Sequence, residues 1–187
     1  MRNVAWLFIV VGTWCVPSPV RAADSAAAQE RAALDRALLL AGPRLYAHLP
    51  LVLTSAMPRT VSPGAEAWTV YDEHGNGERI FVYTRSRAFR CAIDASPLRR
   101  QCVMKLASIV VHEAWHLRHG PDEAEAYRAQ LLFLQMILAT AFQQVDPAAA
   151  AEIAAVRRAR DRVLADKRNA SRQSPSSSGA SGARPAP

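Results

Sequence analysis

Residues 106–116 read LASIVVHEAWH, an apolar run that passes directly into two histidines four residues apart. The apolar half predicts a buried helix, and the spacing places His112 and His116 on one face of it, one turn apart. Both imidazoles can then reach a single ion through neutral ring nitrogens, at about 2 Å each. Glu113 follows the first histidine, so its carboxylate can approach a water beside that ion without becoming a ligand. The sequence therefore predicts a metal site on one buried helix.

The segment after this helix offers carboxylates for a third ligand. Gly120 and Pro121 end the helix, because proline disfavours the helical conformation in the residue before it. Asp122 is a candidate N-cap for a second helix, whose first turn would fold back toward the imidazoles. Glu123 and Glu125 lie about 160 degrees apart around that helix, so only one of them can face the ion. The third ligand is therefore sought among Glu123, Glu125 and Asp122.

His112-Glu113-Ala114-Trp115-His116 resembles the HExxH motif of the zincin metallopeptidases, and residues 123–127 (EAEAY) are similar to the second-helix pattern of the gluzincin branch. The resemblance implies zinc-dependent hydrolysis of a peptide bond, with a zinc-bound water as nucleophile. It implies that Glu113 activates this water as general base. The implied zinc ligands are His112, His116 and Glu123.

Two more expectations come with the resemblance. Tyr127 lies one turn after Glu123, where its phenol could stabilise the oxyanion formed at the carbonyl, or could simply pack. An edge strand before the active-site helix binds extended substrate in zincins, and residues 79–84 are the candidate here, with an ordinary core hairpin as the alternative. In the metzincin branch Asp122 would be the third ligand. The glycine expected three residues after the second histidine is displaced to Gly120, which disfavours that branch.

The remaining chain predicts an α+β, zincin-like fold, in which a small antiparallel hairpin packs on the active-site helix and two further helices follow. Residues 65–72 and 79–84 are rich in β-branched and aromatic residues and flank turn-forming residues, which favours a hairpin. The segment 85–101 is interpreted as a basic loop. The other predicted elements are a helix at 25–41, a short strand at 49–54, and helices from about 97 or 102 to 118, from 122 to about 145 and from 148 to 167.

Both ends are predicted to lie outside the domain, which spans residues 23–168. Residues 1–22 have the pattern of a signal peptide, with Arg2, a short apolar run and small residues that favour cleavage near Ala22. The run is shorter than the roughly 20 residues of a spanning helix, so no stable membrane insertion is expected after signal removal. Residues 169–187 are rich in Ser, Pro, Ala and Gly and predict a disordered tail.

Charge and cysteines agree with export to the periplasm or the exterior. The formal net charge of +7 becomes +5 when Arg2 and Arg21 leave with the signal. The basic residues of 157–168 are interpreted as a solvated helix face, with binding to anionic lipid or cell wall as the alternative and no nucleic-acid partner expected. Cys91 and Cys102 then form an even pair, which favours a disulfide over two buried thiols.

Two functional hypotheses follow. The first is an exported monomeric zinc peptidase that acts on peptide or protein substrates. The second is a non-catalytic envelope binding or scaffold protein with a structural or vestigial zinc site. A fourth protein ligand such as His119 would close the site and favour the scaffold, whereas an open coordination position and an accessible groove favour the enzyme.

Overall fold

The computed structural model describes residues 19–42, 48–141 and 147–173. Within these ranges the fold is α+β, with five helices and a three-stranded sheet. The helices are α1 (Pro19–Ala41), α2 (Arg87–Ile93), α3 (Arg99–His119), α4 (Glu123–Ala141) and α5 (Pro147–Gln173). The strands are β1 (Leu51–Thr54), β2 (Ala67–Tyr71) and β3 (Gly77–Tyr83).

The sheet is mixed and has the strand order β1-β3-β2. Strands β2 and β3 form the predicted antiparallel hairpin, but β1 adds to β3 in parallel, so the prediction of an antiparallel sheet was incomplete. Because β3 lies between the other two strands, residues 79–84 do not offer a free edge for substrate, and the alternative of a core hairpin is the one that fits. The free edges of the described sheet belong to β1 and β2. Which strand becomes central depends on the non-local pairing of β1, which a sequence pattern does not reveal.

The turn between β2 and β3 is built by Asp72. Its Oδ1 accepts hydrogen bonds from the backbone N–H groups of His74 at 2.9 Å and Asn76 at 2.8 Å. Gly75 adopts a φ of 81°, a conformation that glycine tolerates without strain. At the start of β3, a Cβ on Gly77 would lie 2.5 Å from the backbone of Leu117. The hairpin therefore rests directly against the end of α3, which brings β2 beside the last turns of that helix.

Helix α3 is the centre of the core. It packs against α1, α2, α4 and the sheet, so its apolar residues are buried on several sides. This placement explains why residues 106–111 are apolar without an exposed stripe, as expected of a helix surrounded by protein. The one buried hydroxyl in that run, on Ser108, donates to the carbonyl of Lys105 at 2.8 Å and accepts from Gln130 of α4 at 3.0 Å.

The segment predicted as a basic loop contains a helix, so that prediction was wrong for residues 87–93. Ser86 caps α2 by accepting a hydrogen bond from the backbone N–H of Phe89, and the Phe89 side chain is fully buried. The segment is rich in arginine, and its apolar face has only three buried residues (Ala88, Phe89 and Ala92), so the sequence pattern does not indicate a helix. The predicted disulfide is confirmed: Cys91 of α2 is bonded to Cys102 of α3.

The ends of the described chain differ from the predicted boundaries. Helix α1 begins at Pro19 and continues across the expected cleavage position near Ala22, while residues 1–18 of the predicted signal peptide lie outside the described residues. Helix α5 continues to Gln173, past the expected domain end at Arg168, and residues 174–187 of the predicted tail lie outside the description. None of the described helices is long and apolar enough to cross a bilayer.

Candidate metal centre

The two histidines of α3 meet at their Nε2 atoms. His112 and His116 lie one turn apart with their Nε2 atoms 3.2 Å from each other. Both side chains are buried in the last turns of the helix, with 8% and 4% of their surfaces exposed. The spacing of four residues has therefore placed both imidazoles on one face, with their tips directed at the same point.

Glu123 brings a carboxylate to that point from the first residue of α4. Its Oε2 lies 3.3 Å from Nε2 of His112, and its Oε1 lies 3.4 Å from Nε2 of His116. The other two candidates for the third ligand are engaged elsewhere. Asp122 accepts from the backbone N–H of Ala124 at 3.0 Å and from Nζ of Lys167 at 2.8 Å, whereas Glu125 pairs with Arg128 at 3.3 Å.

The three side chains are close enough together to share one metal ion. Ligands placed about 2.0–2.1 Å from zinc in a tetrahedron lie about 3.3–3.4 Å from one another. The Nε2 atoms of His112 and His116 are 3.2 Å apart, and each lies 3.3–3.4 Å from a different oxygen of the Glu123 carboxylate. Two imidazole nitrogens and one carboxylate oxygen, with one position open, also match the ligand set of catalytic zinc sites. These three residues are the ones that could hold the ion.

The charges at the site favour a cation. Hydrogen bonds from His112 and His116 hold the pKa of Glu123 well below its usual range. Burial lowers the pKa of His116, but its hydrogen bonds with Glu123 and with the Gly120 carbonyl more than offset this and raise the pKa overall. Two ring nitrogens and a carboxylate at this spacing attract positive charge, which a proton or a divalent metal ion can supply.

The turn after α3 orients one imidazole. Nδ1 of His116 lies 2.9 Å from the carbonyl oxygen of Gly120 and donates to it, so in the neutral imidazole Nε2 would carry the lone pair that a metal needs. Gly120 has a φ of 90°, and its own N–H caps the helix by donating to the His116 carbonyl. His112 differs, since its buried Nδ1 has no hydrogen-bond partner among the described residues.

Glu113 lies beside the ligand group and does not belong to it. Only 8% of its surface is exposed, and burial raises the pKa of its carboxyl group. Its Oε2 accepts a hydrogen bond of 2.8 Å from the hydroxyl of Thr69, on strand β2. A buried carboxyl group with a raised pKa is a candidate for proton exchange with a bound water.

Two tyrosines flank the ligand group from opposite elements. Tyr127 of α4 packs its ring against the imidazole of His112, with ring centroids 4.6 Å apart. Tyr71 of β2 lines a cavity of about 330 Å³ together with Glu113, His116 and Glu123. Burial first, and then the nearby glutamates, raise the pKa of both phenols. The sequence singled out Tyr127 and missed Tyr71.

Thr69 was missed as well, although a signal existed. Residues 67, 69 and 71 alternate along β2, so once one of them faces α3 the others share that face. The sequence does not predict that β2 packs against residues 112–116, because the contact between Thr69 and Glu113 joins residues 44 positions apart.

A cleft of about 580 Å³ opens onto the ligand group. It is lined by residues of α3 and α4, and by Glu152, Val156 and Val163 of α5 among others. Lys105 and Glu66 also line it and pair at 3.0 Å. Helix α5 therefore borders the cleft together with α3 and α4.

His119, the candidate for a fourth ligand, does not join the group. Its ring stacks on Trp115 with centroids 4.8 Å apart, and its Nδ1 bonds to the Trp115 carbonyl. Among the described residues, the only group of potential metal ligands is therefore His112, His116 and Glu123. This arrangement favours an open site over a closed structural one.

No protein-family model matches the chain, and no curated protein or solved structure is similar to it at a significant level.

Proposed function

We propose that this protein is an exported, gluzincin-like zinc metallopeptidase with a zincin-like fold. The observation that carries the proposal is the convergence of His112, His116 and Glu123 within 3.2–3.4 Å, with the buried carboxylate of Glu113 next to them. The open cleft beside this group offers room for a polypeptide segment. Zinc would be held by the two imidazoles and the Glu123 carboxylate.

When bound, zinc polarises the carbonyl of the scissile bond and makes water more acidic. Glu113 accepts a proton from the attacking water and passes it to the amine nitrogen that leaves. The phenols of Tyr127 and Tyr71 flank the ligand group and are the candidate donors to the oxyanion.

The substrate is proposed to bind as an extended peptide along β2. This strand lies at the edge of the sheet, and its residue Thr69 contacts Glu113. An extended peptide can add to a free strand edge through backbone hydrogen bonds. β2, in place of residues 79–84, is therefore the proposed substrate-binding strand. A peptide bound along it would have its scissile bond beside the proposed general base.

Export is proposed on two grounds. The Cys91–Cys102 disulfide joins α2 to α3, and disulfides persist mainly in oxidising compartments. The pattern of residues 1–22 is that of a signal peptide. A periplasmic or secreted peptidase would act on peptides or proteins that share its compartment.

The proposal is tested with Glu113→Gln, since glutamine keeps the shape of the side chain but cannot accept the proton. We expect the variant to bind one zinc ion per chain and to lose cleavage of a fluorogenic peptide library by at least about 100-fold. Elemental analysis and library hydrolysis of the zinc-loaded protein are the measurements.

Glu125→Gln is the matched control, because Glu125 lies on the same helix as the third ligand but pairs with Arg128. It should retain both zinc and activity. His116→Ala should lose the metal. Full activity in Glu113→Gln, or a zinc-loaded wild type that cleaves nothing in the library, would reject the proposed function.

A further inference from the structure

The hydroxyl of Thr69 is directed at the proposed general base. Its Oγ1 lies 2.8 Å from Oε2 of Glu113 and 3.1 Å from the backbone carbonyl oxygen of the same residue. A threonine hydroxyl has one proton to donate, and both possible acceptors belong to Glu113. The shorter of the two contacts is the one to the carboxylate.

The neighbours of Thr69 within the sheet are apolar, and its side chain also lines the cavity that holds Glu113 and His116. In the pairing of β2 with β3, Thr69 lies opposite Ile80, and Ala67 lies opposite Val82. Ala67, Ile80 and Val82 are all buried. Directly opposed residues in a sheet project to the same face, so Thr69 brings a hydroxyl to a face that is mainly apolar. The hydroxyl is partly buried there, and Glu113 is its hydrogen-bond partner.

The carboxylate of Glu113 depends on this contact. Within the part of the chain that the structure describes, the Thr69 hydroxyl is the one hydrogen-bond donor to the Glu113 side chain. A glutamate side chain rotates about three bonds, and burial alone does not select one rotamer. A donor on the rigid strand fixes one carboxylate oxygen and leaves Oε1 as the oxygen that can accept a proton.

We propose that Thr69 is the positioning residue of this site, which holds the Glu113 carboxylate in the orientation required for proton transfer. The inference rests on the proposed peptidase function. It assigns to β2 a second task besides binding substrate, because the same strand would set both the peptide and the base. Thr69 contacts none of the three metal ligands through a hydrogen bond, so its effect on metal binding is expected to be small.

The test compares Thr69→Val, which removes the hydroxyl and keeps the shape, with Thr69→Ser, which keeps the hydroxyl. Thr54→Val is the matched control, because the Thr54 hydroxyl lies on β1 and bonds only to the backbone of Ala56. Turnover, KM, zinc content and melting temperature are measured for each. Crystal structures of the zinc-loaded wild type and Thr69→Val give the position of the Glu113 carboxylate without any need for activity.

We expect Thr69→Val to lower kcat about 10- to 100-fold, as misplacement of a catalytic group by about 1 Å does. KM and zinc content should stay near wild type, Thr69→Ser should recover most of the turnover, and Thr54→Val should behave as wild type. In the crystal structure of Thr69→Val the carboxylate should leave its position. If this variant is poorly folded, Thr69→Ala provides the same comparison with a smaller side chain.

Two results would overturn the assignment of Thr69: an unmoved Glu113 carboxylate in Thr69→Val, or wild-type turnover in that variant while Glu113→Gln is inactive. A failure of the proposed function has a different signature. In that case the wild type cleaves no peptide, while the crystal structures still decide whether Thr69 fixes Glu113.

Discussion

At the scale of single residues, Glu113 places a carboxylate in a buried position that disfavours its charged form. Glu113 is buried, and burial raises the pKa of its carboxyl group above the ordinary value. The charged form is therefore less stable in the folded chain than in the unfolded chain. Residues held at a cost to stability are common at functional sites.

This cost predicts that Glu113→Gln stabilises the metal-free protein. A carboxyl group with a raised folded-state pKa binds more protons in the folded state, so its contribution to stability falls as the pH rises from the unfolded pKa through the folded one. We expect wild type and variant to have similar melting temperatures near pH 4, and the variant to melt several degrees higher near pH 8. Calorimetry in the presence of a chelator measures this, and a wild type that is the more stable protein at pH 8 would contradict it.

Residue spacing was enough to predict that His112, His116 and Glu123 lie close together. It was not enough to predict that residues of β2 lie beside them. The interval between His112 and His116 fixes their common face through helix geometry alone. Glu123 is close to them because a break of only three residues separates α3 from α4. Thr69 and Tyr71 reach the site through the docking of a strand against a helix, and that contact is tertiary. No local pattern contains it.

At the scale of elements, the sequence predicts the β2–β3 hairpin, because turn-forming residues separate two apolar runs. It does not predict the parallel addition of β1, since pairing partners across a sheet leave no mark on the strand itself. The helix α2 was missed because its apolar face is only three residues wide, at Ala88, Phe89 and Ala92. Short elements depend on packing more than on periodicity.

The contact between the hairpin and α3 gives a prediction at this scale. A Cβ at Gly77 would lie 2.5 Å from the Leu117 backbone, so Gly77→Ala must push β3 away from the helix. We expect a loss of about 1–3 kcal/mol in unfolding free energy, as overpacking typically causes. Urea unfolding measures it, with the exposed neighbour as control: Glu78→Ala should change stability by less than about 0.5 kcal/mol. Equal effects in the two variants would contradict this contact.

At the scale of the whole molecule, the core is arranged around α3, and a disulfide bond crosslinks the N-terminal part of this helix to α2. The Cys91–Cys102 disulfide joins α2 to α3 across 11 positions of the chain. Cys102 lies near the N-terminal end of α3, whereas the histidines lie near its C-terminal end. His112, the first residue of the ligand group, lies ten residues after Cys102. The bond and the site therefore occupy separate ends of the same helix.

This separation predicts that the disulfide affects stability and leaves the metal site intact. Closing a loop of this length stabilises a protein by about 3 kcal/mol in the chain-entropy description. The double variant Cys91→Ala, Cys102→Ala should lose an amount of that order in chemical unfolding and still bind zinc, as measured by elemental analysis. Loss of zinc from a variant that remains folded would show that the two ends of α3 are coupled.

All three proposed ligands lie between residues 112 and 123, within one helix–turn–helix segment. Closing so short a span costs little chain entropy, and contacts between near neighbours form early in folding. An ion captured there would fasten the α3–α4 junction before the sheet has assembled. A metal ion held by these residues would then stabilise the junction early in folding, besides any role in the folded protein.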